Sequence, residues 1–397
     1  MQRRHLLKLA ASAPLALLST RLLAAPRGTP RLLVVFMRGA YDCNSLLVPT
    51  ASDFYYESRP TIAIAKPGSA ADSAISLTDG WGLHPGLKDT LLPLYNAGEL
   101  AFVPFAGTGD LSRSHFDTQN GIELGRPGKP DNSYRSGFLN RLASALAKDT
   151  AQPVSFTSEL PQIWRGDYRV PNVDLGGTRR PSSLGANRTR AIESMYRDTE
   201  LSAAVKEGIR LNAMARREFK EEMQRANGKA APASLLEREA ARVGRFMADR
   251  YNLGFIDVGG WDTHVAQGSV KGTLASRLAR LSRALVSYKT ALGPAWRDTT
   301  VVVISEFGRT FRENGNKGTD HGHGTVYWVL GGAVQGGRIA GRQVEVRRET
   351  LFQDRDYPVL NDYRALLAGM FARLYGLDSK RLEQVFPGVR PQDLKLV

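Results

Sequence analysis

Five short runs of almost unbroken apolar residues constrain this chain most. They are Arg31-Leu32-Leu33-Val34-Val35-Phe36, Ala101-Phe102-Val103-Pro104-Phe105, Gly254-Phe255-Ile256-Asp257-Val258, Thr300-Val301-Val302-Val303-Ile304 and Tyr327-Trp328-Val329-Leu330. A strand with one wet face alternates apolar and polar side chains. A run without alternation belongs to a strand covered on both faces. Helical periodicity fills several of the gaps, around 87–97, 270–292 and 363–375. Strands alternating with helices predict an α/β fold, a mostly parallel sheet with helices on both faces. With 397 residues, 42% of them hydrophobic, the chain can bury a large core, and we expect a single domain over 26–397. The stretch 187–251 lacks strand signals. It reads as two long helices broken near Asn227-Gly228 and Pro232, a helical insertion capping the sheet. Long loops are expected over 127–180.

The first 25 residues have a different character. Arg3-Arg4-His5-Leu6-Leu7-Lys8 precedes a mildly apolar stretch ending at Ala24-Ala25, the shape of a signal peptide. The paired arginines point to the twin-arginine export machinery and a periplasmic or otherwise exported destination. Pro14 and Arg21 interrupt this stretch, and no other segment is long and apolar enough for an integral membrane span. Cys43 is the only cysteine, so no intrachain disulfide can form. The formal charge is +15. Such a field attracts anionic partners, among them phosphate or sulfate esters, anionic glycans and lipid headgroups, although it serves solubility equally. No zinc-finger spacing or RNA-binding signature is present, so nucleic acid is not an expected partner.

Open α/β sheets place their sites beyond the carboxyl ends of the strands. Here the first run leads into Met37-Arg38-Gly39-Ala40-Tyr41-Asp42. The third leads into Gly259-Gly260-Trp261-Asp262-Thr263-His264, and the fourth into Ser305-Glu306-Phe307-Gly308-Arg309. Asp320-His321-Gly322-His323-Gly324 precedes the last. Carboxylates and imidazoles brought to one edge suit a divalent metal ion, zinc, manganese or calcium, with one or two bound. The predicted ligands are Asp42, Asp262, His264, Glu306, His321 and His323. In extended backbone an i, i+2 pair shares a face, so Asp262 with His264, or His321 with His323, can share an ion. A lone strand-end Asp is as readily a turn former, and a lone buried His a structural residue. The coincidence of several at one edge is what favours a metal.

Ser112-Arg113-Ser114-His115-Phe116-Asp117 forms a second constellation, after the run at 101–105 and at the start of a predicted helix. A hydroxyl there, beside an arginine, suits attack on an anionic centre, which makes Ser112, Ser114 and Arg113 catalytic candidates. A helix N-cap accounts for the serines equally well. Arg309 and Arg38 adjoin predicted ligands and are placed to clamp an anion. His84 reads as structural or as a support to a ligand.

Taken together, the leader, Arg38-Gly39 to Asp42, Arg113-Ser114-His115-Phe116, Gly259 to His264, Ser305 to Thr310 and Asp320 to Gly324 resemble an exported bacterial family called domain of unknown function 1501. The resemblance spans nearly the whole chain after the leader. That family is grouped with alkaline phosphatases and sulfatases, which implies an alkaline-phosphatase-like fold and a metal centre. By that resemblance Asp42 is the first-strand acid, Ser112 or Ser114 the nucleophile position, Asp262 and His264 the middle-strand pair, and His321 or His323 the late histidine. The chain departs from the superfamily pattern in three places. Its Asp-x-x-x-His spacing shortens to Asp262-Thr263-His264, and its Asp-His-Gly step appears as Glu306-Phe307-Gly308. Cys43 is followed by Asn44 and Ser45, which removes the formylglycine motif of sulfatases.

Two functions compete. One is a metal-dependent hydrolase of phosphate or sulfate esters, with Ser112, Ser114 or a water as nucleophile. The other is a non-catalytic exported protein of the same fold that binds an anionic envelope component or an assembly partner; Phe307 in a ligand position favours it. A dinucleotide enzyme is discounted because no Gly-x-Gly-x-x-Gly follows the first run.

Overall fold

A computed structural model describes residues 28–397 except 79, 128–134, 147–149, 176–185, 211–212 and 214–234. The leader, and the helix break expected near Asn227-Gly228 and Pro232, lie outside the described residues.

All five apolar runs are strands, each extended by one to three residues. They are β1 (Arg31–Met37), β5 (Leu100–Gly107), β7 (Leu253–Val258), β8 (Thr299–Ser305) and β9 (Thr325–Leu330). Three short strands join them: β6 (Pro153–Ser155), β10 (Arg338–Ile339) and β11 (Asn361–Asp362). The eight form one sheet in the order β10-β5-β9-β8-β1-β7-β6, with β11 also on β5. β1 runs parallel to both β7 and β8, β6 parallel to β7, and β10 and β11 parallel to β5. β9 alone runs against its neighbours β5 and β8. A separate three-stranded antiparallel sheet, β2 (Leu47–Val48), β4 (Trp81–Leu83) and β3 (Ile75–Thr78), lies off the main one.

β1 shows why its run does not alternate. Leu33, Val35 and Met37 enter one core, with residues of the helices Leu235–Asp249 and Thr273–Leu292. Leu32, Val34 and Phe36 enter the other, with the helices Phe138–Ala145, Tyr363–Tyr375 and Ser379–Val385. Both faces are dry, so every position from Leu32 to Met37 is apolar. One part of the expected insertion differs from its reading. Leu235–Asp249 is a layer helix whose Val243, Phe246 and Met247 belong to the core, whereas none of the described side chains of Ala186–Tyr196 belongs to either core. Both are rich in Arg and Glu, and composition alone does not separate a helix with one buried stripe from a solvated one. Among the described residues, no helix is long and apolar enough to cross a membrane.

Candidate metal centre

The reversed strand β9 is what assembles the site. β1, β5, β7 and β8 share a direction, so their carboxyl ends share an edge. A residue just before a further parallel strand would lie at the opposite edge. Because β9 is antiparallel, its amino end comes to the same edge and brings His321 there.

The Nε2 atoms of His115 and His321 lie 2.9 Å apart, and those of His264 and His321 3.1 Å apart. Asp262 Oδ1 is 2.9 Å from His264 Nε2, 3.4 Å from His321 Nε2 and 3.7 Å from His115 Nε2. The ligand atoms of His115, Asp262 and His321 all fall within 4.8 Å of one another. Four ligands at roughly 2.0–2.1 Å from a tetrahedral ion are separated by about 3.3 Å. These five distances scatter around that edge length; His115, Asp262 and His321 form a group of donors that could hold an ion, and His264 stands beside them.

Hydrogen bonds on the far side of each ring fix what the inner atoms are. His115 Nδ1 is 2.8 Å from Glu306 Oε1, His264 Nδ1 is 3.0 Å from Asp320 Oδ1, and His321 Nδ1 is 3.0 Å from the Arg113 carbonyl. Carboxylate and carbonyl oxygens only accept, so each Nδ1 carries the proton and each Nε2 of a neutral ring presents a lone pair. Lone pairs and a carboxylate oxygen facing one point favour positive charge there, and Arg309 supplies part of it, its Nη2 on Asp262 Oδ1 and its Nη1 3.4 Å from His264 Nε2. Outward bonds of this kind orient metal-ligating imidazoles.

The acids are held ionised. Burial opposes the charge on Glu306, but hydrogen bonds from His115 and Gln119 outweigh it and hold the carboxyl below its ordinary value. Burial likewise opposes Asp262, and the Arg309 guanidinium overcomes it. Burial opposes Asp320, and hydrogen bonds from Asn314 and His264 overcome that. The Glu306 hydrogen bond raises His115, while burial, then the His115 charge, lower His321.

Three of the predicted ligands, Asp262, His264 and His321, therefore meet. Glu306 stands one bond further out. It is fully buried and accepts from Gly39 N at 2.7 Å, Gln119 Nε2 at 2.8 Å and Ser305 Oγ at 2.9 Å. Asp42 is elsewhere: both its oxygens face the Arg59 guanidinium, at 2.6 and 3.0 Å, and Gln267 and Ser45 donate to it at 2.7 and 2.9 Å. A buried carboxylate already matched by a buried guanidinium is a scaffold pair. His323 also stands apart, against Phe352 at 5.1 Å between ring centroids, and burial holds its pKa down at about 4. Phe307 packs on the rings of His115 and His321, at 5.0 and 5.2 Å, and so walls the ligands.

The candidate catalytic groups have structural partners. Ser114 caps the helix His115–Leu124, its Oγ accepting from Asp117 N at 3.4 Å. Ser112 Oγ donates to Asp110 at 3.1 Å. Arg113 pairs with Asp356 at 2.7 Å, and its backbone, at φ 53°, supplies the carbonyl that holds His321. Arg309 is buried. It donates to the carbonyls of Ala40, Gly39 and Thr319 and to Asp262 Oδ1, and so ties three loops together. Arg38 is spent on Asp257 and Glu123 at 2.6 and 2.8 Å. His84 caps a turn and faces the Ser269 carbonyl at 3.2 Å. Gly39 lets the loops close: at φ 118°, a Cβ there would stand 2.8 Å from Asp262 N.

Reading the sequence missed His115 as a candidate ligand, and Asp320, Gln119 and Arg59 as residues that brace the cluster and its surroundings. His115 was visible as an imidazole beyond the carboxyl end of β5, but the adjacent hydroxyls drew the reading to themselves.

The family described as protein of unknown function (DUF1501) matches residues 29–386. The chain belongs to this family. Comparison with curated proteins finds no match. Among solved structures, the chain is similar to a protein in the alkaline phosphatase superfamily from Vibrio parahaemolyticus, at 11% identity and TM-score 0.38 over 79% of this chain. The match spans 63% of that protein, under two thirds of its length. The chain is also similar to Ps i-CgsB. In complex with k-i-k-neocarrahexaose that protein matches at 11% identity and TM-score 0.40, over 92% of this chain and 75% of its own. Solved alone it matches at 12% identity and TM-score 0.40, over 91% and 75%.

Proposed function

We propose that this protein is an exported, metal-dependent hydrolase of phosphate or sulfate esters that uses water, not a serine, as its nucleophile. The observation that carries the reading is the convergence of His115, His264 and His321 Nε2 with Asp262 Oδ1, each ring braced from behind. Export is proposed from the leader, and an anionic substrate from the formal charge, +15 for the whole chain, of which Arg3, Arg4, Lys8 and Arg21 of the leader supply four.

Three imidazoles and one carboxylate favour a zinc-type ion over calcium, which prefers six to eight oxygen ligands. A divalent ion supplies Lewis-acid polarisation of the ester and lowers the pKa of water. The remaining work belongs to the chain. Glu306 and Asp320 keep their imidazoles aimed inward, and Phe307 shields two of the rings from water. Arg309 holds Asp262 ionised and in place. Because Asp262 Oδ1 also serves Arg309 and the side chain is 42% exposed, Asp262 is the ligand best placed to yield to substrate. Three fixed protein ligands with an exchangeable fourth position is the catalytic pattern; four fixed ligands is the structural one. The Ser112 and Ser114 hydroxyls are engaged with their own turn.

The test uses metal-stripped protein reloaded with zinc, assayed on 4-nitrophenyl phosphate and 4-nitrophenyl sulfate. Turnover should return with the metal and vanish in His115→Ala. Protein that retains no divalent ion, or turnover indifferent to chelator, would overturn the reading.

A further inference from the structure

The exposed apolar side chains of this molecule fall in two groups along the chain. Among the described residues, the large exposed hydrophobics are Leu111, Phe116, Met195, Leu201, Leu235 and Val265. Three of these, Met195, Leu201 and Leu235, lie in the helical stretch 187–251. The other three are chain neighbours of the candidate ligands: Leu111 in the turn before His115, Phe116 in the first turn of the helix His115–Leu124, and Val265 in the loop after His264. Phe116 is 87% exposed and directly follows His115; Val265 is 64% exposed and directly follows His264. Each is one Cα step, about 3.8 Å, from a ligand. Leu111, 52% exposed, opens the turn whose Arg113 carbonyl holds His321. Single exposed apolar residues are ordinary, but apolar residues gathered at a site edge mark a contact surface.

A cation borders the same site. The Cζ of Arg277 lies 3.5 Å from where a Gly260 Cβ would stand, two residues before Asp262. No carboxylate among the described residues pairs with it; its charge is disfavoured by burial and by Arg280.

We infer that Phe116 and Val265, with Leu111, are specificity-determining residues that receive the alcohol half of the ester, so that the substrate class is an anionic ester of an alcohol with an extended apolar face. The inference rests on the hydrolase reading above and deepens it. The metal and Arg277 take the anionic end of such a molecule, and the apolar rim takes the other. A small hydrophilic ester would leave Phe116 and Val265 in water.

The experiment measures binding, not turnover, by calorimetry of the zinc-loaded full chain with alkylphosphonates and alkylsulfonates from methyl to hexyl. A fully buried methylene raises affinity about fourfold and a half-buried one about twofold, so five added methylenes should give roughly thirtyfold. In the double variant Phe116→Ser, Val265→Ser the gain should fall below about fivefold, with methylphosphonate affinity unchanged. Both positions are exposed, so the variant keeps the fold. If the methyl probes bind but chain length has no effect, or the gain survives in the variant, the inference is overturned while the hydrolase reading stands. If neither methyl probe binds, the hydrolase reading fails with it. Whichever series binds identifies the anion.

Discussion

Glu306→Gln tests the centre at its least exposed point. Glu306 touches no ion; its work is to hold His115 by one hydrogen bond of 2.8 Å while accepting from Gly39, Gln119 and Ser305. Glutamine preserves the shape and an acceptor oxygen but removes the charge that polarises the imidazole. Loss of such an outer partner lowers metal affinity about 10- to 100-fold. The change can be read as stability. At free zinc near 1,000 times the wild-type Kd, binding stabilises the fold by about 4.1 kcal/mol, and a hundredfold weaker site keeps only about 1.4 kcal/mol. The zinc-dependent stabilisation should therefore fall by roughly 1.4–2.7 kcal/mol across that range. The assay is denaturant unfolding with and without zinc, paired with a chelator competition for Kd. His323→Gln serves as the control, because His323 stands outside the cluster and should leave Kd unchanged. Wild-type zinc affinity in Glu306→Gln, or an equal loss in His323→Gln, would refute the ligand assignment of His115.

Further expectations follow from the same geometry. Asp42→Asn should cost about 3–5 kcal/mol, because it leaves buried Arg59 without its counter-charge, yet should leave zinc stoichiometry intact, as measured by unfolding and metal analysis. Burial opposes the Asp42 charge, and Arg59 outweighs it, so the folded pKa is depressed. A depressed carboxylate contributes its stability in full above the unfolded value of about 3.9 and loses it as the pH falls through the folded value. The gap between wild type and Asp42→Asn should accordingly close in strong acid, and a gap that widens there would contradict the assignment. Ser114→Ala should lose about 1 kcal/mol as a missing N-cap, while both Ser112→Ala and Ser114→Ala keep turnover within about twofold; abolition of turnover by either would restore the serine nucleophile. Gly39→Ala should destabilise by about 1–3 kcal/mol and weaken zinc binding, since the added Cβ must push Asp262 away at a backbone angle that L residues avoid.

Legibility in the sequence stopped where partners had to be chosen. The runs of β1, β7 and β8 showed strands covered on both faces, because continuous apolarity has no other economical use in a chain of this size. From there the edge carrying Asp262, His264 and Glu306 followed by rule. The two i, i+2 pairs looked alike, yet only Asp262 with His264 shares a point, whereas His321 and His323 part. Spacing says which side chains share a face of the backbone, not what stands in front of that face.

The sequence by itself determined the α/β layering, the strands and the edge at which chemistry gathers, because burial periodicity is a local property that each segment carries. Tertiary structure decided the rest. It reversed β9 so that His321 reaches the edge, brought His115 there from the start of the helix His115–Leu124, and paired Asp42 with Arg59. A candidate ligand set is a convergence of atoms from segments up to 206 residues apart, as His115 is from His321, and only the packed sheet fixes which of several suitable side chains arrive.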